Sequence, residues 1–246
     1  MTLAPGLLLL ADSRLPTGGH AHSGGVEEAV RHGDVTGPPD LAAFLAARVP
    51  TTGLVAAACA AAACALAGEE RGSPSPRGAQ PGRPSLPAGA PGWARWEDAL
   101  DARTPVAALR EVSRAQGRAL VRTVRRVWPE ASLDGLGARP HQALVLGVAT
   151  AAAGAGPDDA AALAVHHLVG QATTAAVRLL GLDPLALAGV HARALEAAVP
   201  TVARAAAAGA AAASADDPDL LPAATTPRPE VLAVLHARAE GALFAS

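Results

Sequence analysis

Alanine fills 65 of the 246 positions, and the chain nowhere carries the alternating β-branched runs that strands require; much of its valine falls at helical spacing instead. Alanine has the best helix propensity, and a methyl group leaves little standing between two helix backbones. The sequence therefore predicts an all-α fold, a single-domain multi-helix bundle with closely approaching helices. Pro38, Pro39 and Asp40 open a segment to Val49 in which Leu41, Phe44, Leu45 and Val49 recur at 3/4 spacing, the stripe of a helix laid on a core. Thr51 or Thr52 is placed to cap the next helix, through about Ala67. Thr104 before Pro105 reads as an N-cap and first-turn pair for a helix that carries Val106, Leu109, Val112, Leu120, Val124 and Val127 before Pro129 stops it. Further helices are expected at about 140–153, 158–180, 184–213 and 229–243.

Between Gly68 and Gly92 the pattern breaks, with six prolines and six glycines in 25 residues and almost no large apolar side chain to offset the entropy of ordering them. The expectation is a disordered insertion at 68–92, and the 221 residues outside it suffice for one core. The two cysteines, Cys59 and Cys64, are five apart, which on a helix separates them by roughly 140°. They cannot pair there, so they read as small buried hydrophobes of a reducing compartment. Leu7 to Leu10 follow no basic region and Asp12 comes at once, unlike a signal peptide. The uncharged run Gly53–Ala67 is 15 residues, short of the roughly 20 strongly apolar ones that span a bilayer. A cytoplasmic protein with no membrane partner is expected.

Lysine, isoleucine, asparagine and tyrosine are absent, the types encoded by AT-rich codons. Without lysine there is no P-loop, no pyridoxal Schiff base and no lysine nucleophile, since each mechanism needs that amine. A net charge of −2 and a pI near 6.4 remove any global attraction to nucleic acid. Locally, however, Arg110, Arg114, Arg118, Arg122 and Arg126 form a row spaced by four. With Arg103 and Arg125, seven arginines over 103–126 face one acid, Glu111. Such a stripe is most often a solvated face. As a functional surface it suits an acidic protein partner better than nucleic acid, because no aromatics accompany it for base stacking.

The most unusual stretch runs from Leu15 to Val30, with glycines flanking His20 and His22 and then Glu27 and Glu28 at the start of an amphipathic segment. As an anion cradle it lacks an adjacent cation, and as a nucleophile elbow around Ser23 it lacks the preceding strand. As a metal site, His20, His22 and Glu27 supply imidazoles and a carboxylate suited to nickel or zinc, but two histidines in a loop more often face solvent or cap a helix, so no firm metal site is expected and any nickel contact would be transient. His32, His141, His166, His167, His191 and His236 are scattered. His166 and His167 diverge by about 100° on a helix and are not a chelating pair.

Four blocks, in order, resemble the UreF family of urease accessory proteins. Pro16-Thr-Gly18-Gly19 with His22-Ser23-x-Gly25-Val26-Glu27 is similar to its N-terminal signature. Leu109-Arg110, Ser113 and Gly117-Arg118 resemble its long-helix block. His141, Gly147 and Ala175-Ala-Val-Arg178-Leu179 look like its central helices. Val231 to His236 with Leu243-Phe244-x-Ser246 resembles its C-terminal end. The resemblance implies an all-α, non-enzymatic, homodimeric scaffold that acts with UreD (also called UreH) and the GTPase UreG on the urease apoprotein, assisting nickel insertion and holding no cofactor stably. It implies partner-binding roles for His22, Ser23, Gly25, Glu27, Arg110, Ser113, Arg118, Arg178, His236 and Phe244. The chain departs from the family pattern at His20, at Asp183–Ala188 and at Ala237, Ala242 and Ala245. The alternative reading is an all-α regulatory or nucleic-acid-binding module that uses the Arg110–Arg126 stripe.

Overall fold

The computed structural model of the chain describes residues 4–15, 22–72 and 92–237, and among these there are helices and turns but no strand. The helices are α1 (Pro5–Ala11), α2 (Val26–Arg31), α3 (Pro38–Arg48), α4 (Leu54–Gly72), α5 (Trp93–Ala102), α6 (Ala107–Val127), α7 (Gln142–Ala152), α8 (Pro157–Leu180), α9 (Pro184–Ser214) and α10 (Pro227–His236). The all-α expectation holds, and the four later helices fall within about two residues of their expected starts. The last one ends at His236, and residues 238–246 lie outside the described part, as do Pro16–Ala21 and the stretch 73–91.

The core is organised around α4, which packs against α7, α8 and α9. Every residue from Ala57 to Ala63 is fully buried. The seams are closer than side chain against side chain. A Cβ on Gly147 of α7 would sit 2.2 Å from the Ala60 carbonyl oxygen, and one on Gly209 of α9 would sit 2.5 Å from that of Ala58. Such contacts need backbone on one face and a hydrogen on the other, which suits a helix in which nine of the 19 residues are alanine. The apolar run was too short in the sequence to cross a bilayer. In the fold it is part of a longer helical stretch, Pro38–Glu69, which is long and apolar enough to do so. Its most apolar window is 72% buried inside the protein, as a core helix is.

Several local expectations are corrected. Thr51 and Thr52 do not cap a new helix, because α3 runs into α4 through a π-helical turn, Val49–Gly53. Pro50 has no N–H to continue the ladder, and the widened turn absorbs the loss. The Thr51 hydroxyl turns back to the Ala47 carbonyl at 2.8 Å and meets the Thr226 hydroxyl across the chain. Nor does Thr104 cap α6. A following proline disfavours the helical region for Thr104, α6 starts at Ala107 with Val106 as its N-cap, and Arg110 reaches back to the Thr104 and Pro105 carbonyls at 2.8 and 2.9 Å. The helix α4 also persists through Gly72, beyond the expected boundary at Gly68. Glu69, Glu70 and Arg71 are good helix formers, and propagating past one glycine costs only about 1 kcal/mol once the helix exists.

Cys59 and Cys64 are buried free thiols, as expected, and burial pushes the Cys59 thiol up to about 12. His166 and His167 diverge as their spacing requires, and both serve α1: their Nε2 atoms lie 3.1 and 2.9 Å from the carbonyls of Ala11 and Leu10. A carbonyl only accepts, so both rings donate from Nε2, satisfying the last two carbonyls of α1 beyond the Leu9 carbonyl that the Asp12 N–H takes.

Candidate functional site

The N-terminal signature, the long-helix block and the His141 block meet at one cleft of about 190 Å³. Its lining includes His22 and Gly25 from the entry to α2, Ser113 and Gln116 from α6, Gln142 at the start of α7, and Arg48 from α3. Gly24 and Gly25 take left-handed conformations, φ +59° and +83°, that turn the chain into α2 beside Arg48. A loop rich in glycine and histidine reads as exposed in sequence, but the structure buries His22, Ser23 and Glu27 at 6, 0 and 4% exposure. Val26 and Ala29 are fully buried beside them, and burying this face of α2 carries its flanking polar groups inside.

Glu27 and Glu28 are compensated there by three cationic or titratable neighbours. Arg31 lies 2.9 Å from Glu28 and 3.6 Å from Glu27, and His32 Nε2 lies 3.1 Å from Glu28. From the other end of the chain, His236 of α10 places Nδ1 3.3 Å from Glu28 and Nε2 4.0 Å from Glu27. Glu27 is thus bound into an ion network rather than presented to a passing metal. His20 and Phe244 lie outside the described residues. Among the described residues no group of three or more His, Cys, Asp or Glu side chains could hold a metal ion. Glu28 was missed in the sequence, although its spacing to Arg31 and His32 on one helix face was a readable signal.

Ser113 belongs to a second network, between α5, α6 and α7. His141 is fully buried, its Nε2 2.8 Å from Asp101 and its Nδ1 2.9 Å from the Ser113 hydroxyl, which itself accepts from the Gln142 N–H. The carboxylate can only accept, so His141 carries its proton on Nε2 and accepts a hydrogen bond from the Ser113 hydroxyl at Nδ1. Burial lowers the His141 pKa, which keeps the ring neutral. Glu97 accepts from the His141 backbone N–H and lies 3.0 Å from Arg114, but burial dominates and lifts its carboxyl to about 7. Burial acts in the same sense on Asp101, where hydrogen bonds from His141 and Arg114 outweigh it and leave its pKa lowered.

The arginine row divides in two. Arg103 donates to the carbonyls of Ala99, Asp219, Leu221 and Pro222, tying the end of α5 to the loop before α10. Arg110 holds the turn before α6, and Arg114 bridges Glu97 and Asp101. These three are internal fastenings, contrary to the reading of the row as one solvated stripe. Arg118 is partly buried, with a sealed Nη1 that has no hydrogen-bond partner among the described residues, whereas Arg122, Arg125 and Arg126 are exposed. Arg178 is exposed in the last turn of α8, apart from the cleft, where a cation favours the helix C-terminus.

A family model for UreF matches residues 35–195. Over 240 residues the chain is 46% identical to the urease accessory protein UreF of Mycolicibacterium vanbaalenii, covering 98% of this chain and 97% of the relative. It is 42% identical to the Mycobacterium marinum protein of the same name over the full length of both. The Mycobacterium tuberculosis protein is 44% identical over 184 residues, or 75% of this chain and 76% of that one. Full-length similarity at this level, on the all-α fold and the motif blocks that converge on the cleft, means that the chain belongs to the UreF family of urease accessory proteins.

Proposed function

We propose that this chain is a non-enzymatic maturation factor of the cytoplasm that, as a homodimer with UreD/UreH and the GTPase UreG, assists the insertion of nickel into urease apoprotein. The observation that carries the reading is identity above 40% over essentially the whole length to proteins named urease accessory protein UreF. Nickel is cargo here, and no stably bound cofactor is assigned. The exposed end of the α6 row, Arg122, Arg125 and Arg126, suits an acidic partner surface. Nucleic acid is the weaker reading, because three of the seven arginines face inward and the chain is net negative.

The test is reconstitution of urease apoprotein with nickel, GTP, UreD and UreG, with and without this chain. Activation should depend on its presence. Equal activation in its absence would overturn the assignment, as would salt-dependent DNA binding with a log-log slope of several units.

A further inference from the structure

Around the cleft, the side chains able to carry charge are committed, with one exception. Arg103 is held by four carbonyls, His167 donates to Leu10, and Glu230 accepts from the Thr225 hydroxyl. Arg48 is the exception: its Nε is sealed from solvent without a partner, and no hydrogen bond or ion pair to its guanidinium occurs among the described residues. The Phe44 ring centroid lies 5.5 Å from the guanidinium carbon, a cation–π contact. A phenyl ring offers no oxygen or nitrogen acceptor, so the guanidinium N–H donors remain without a hydrogen-bond partner among the described residues. The positive-φ glycines bring the entry loop close by: a Cβ on Gly24 or Gly25 would stand 3.4 or 3.6 Å from Arg48 Nη1. Burial pulls the guanidinium down to about 10, so it is still charged at neutral pH, and a desolvated charge without a counter-ion is costly.

We propose that this cleft is a carboxylate-binding pocket in which the donor edge of Arg48 forks one carboxylate between walls that include Gln142 and Gln171. Planar two-oxygen anions match the guanidinium fork. One cation opposes one negative charge, and the nearby Glu230 carboxylate disfavours a phosphate dianion. The cleft, at about 190 Å³, is smaller than the roughly 300 Å³ at which ordinary small-molecule sites begin, so the ligand is a short carboxylate or an acidic side chain.

The full-length protein, with ¹⁵N-labelled arginine, is titrated with acetate, with N-acetylglutamate α-amide and with inorganic phosphate, following the Arg48 Nε–H resonance and the heat of binding. The carboxylates should shift Arg48 and phosphate should not. Arg48→Gln should weaken carboxylate binding at least about tenfold, and the exposed Arg193→Gln should leave it unchanged. Arg48→Lys keeps the charge without the fork and should weaken binding by several-fold, a readout that survives if Arg48→Gln does not fold. Comparable affinity for acetate and the glutamate analogue assigns a free small carboxylate, and a marked preference for the analogue assigns an acidic residue of a partner. Silence of Arg48 toward both carboxylates overturns the proposal, as does tighter binding of phosphate. So does carboxylate binding that emerges only in Glu230→Gln, which would make Glu230 the resident counter-ion.

Discussion

The seams around α4 and the seams around α6 hold the same fold by opposite means. Against α4, Gly147 and Gly209 bring backbone to backbone with no charged group between. Against α6, His141, Asp101, Glu97 and Arg114 hold α5 and α7 through proton-bearing contacts, and on the far side of the cleft Glu27, Glu28, Arg31 and His236 fasten α2 to α10. The first kind of seam tolerates no added atom and ignores pH. The second is as tight at one point, where a Cβ on Gly117 of α6 would sit 2.0 Å from the Pro140 carbonyl oxygen, but its polar contacts respond to protonation and salt, so any adjustment on meeting a partner belongs there.

The largest expected effect is therefore at the glycine seams. Gly147→Leu drives a side chain into the Ala60 carbonyl, which cannot move without unseating α4, and should cost about 3 kcal/mol or more, the upper end for overpacking. Thermal unfolding measures it, and a loss under about 1 kcal/mol would show that the seam can open. His141→Ala should come next, at about 2–3 kcal/mol, because it leaves Asp101 and Ser113 without their buried partner. If salt alters the stability of Gly147→Leu as much as that of His141→Ala, the contrast between the two kinds of seam is lost.

Protonation sharpens the same contrast. The Glu97 carboxyl is raised from 4.5 to about 7 in the fold, so its stabilising contribution is present in full below 4.5 and is lost as pH rises through 7. His167 is lowered from 6.5 to about 4, so its contribution is present above 6.5 and is lost as pH falls toward 4. The two oppose each other between pH 4.5 and 6.5, and the wild-type profile shows only their sum. Difference profiles separate them: stability relative to Glu97→Gln should fall with rising pH, by about 1–3 kcal/mol in total, and stability relative to His167→Gln should rise. Parallel profiles for wild type and Glu97→Gln between pH 4 and 8 would contradict the buried setting of this carboxylate. His236→Ala should act more locally, removing about 1 kcal/mol and raising hydrogen exchange in α10 before that of α4.

Helical periodicity made the layout legible, because Leu41 and Leu45, or Leu120 and Val124, repeat at the spacing that buries them. Capping residues were less legible. Thr51 and Thr104 have the right chemistry at the right place, but each sits beside a proline whose missing N–H and fixed φ decide the local backbone first. The site was half legible. His22, Gly25 and Ser113 do meet at one cleft, but burial reverses the meaning of Glu27, since a carboxylate that looks like a surface ligand in one dimension is paired internally once α2 packs against α10. Arg48 carried no signal at all. A lone arginine in an apolar helix looks like an exposed cation until the fold shows what lies beside it.

The smallest stability effect is expected where the arginine row leaves the core, and it is there that partner binding should change most. Arg122, Arg125 and Arg126 are exposed, and among the described residues only Arg125 has an oppositely charged neighbour, the fully exposed Asp134 at 3.7 Å, a pairing of little energetic value. Replacing all three with glutamine should change unfolding free energy by no more than about 0.5 kcal/mol per site. The same replacement removes three positive charges from one helix face, and steering toward an acidic partner depends on such summed charge. The triple variant should therefore assemble more slowly with UreD or UreG, and the wild-type rate should fall toward the variant's as salt is raised. Arg114→Gln is the informative control, because it removes the same charge from the same helix at a site that fastens Glu97 and Asp101. It should lower stability and leave the salt dependence of assembly intact. Equal assembly kinetics for the triple variant and wild type at low salt would mean that the outer arginines are a solvated face and nothing more.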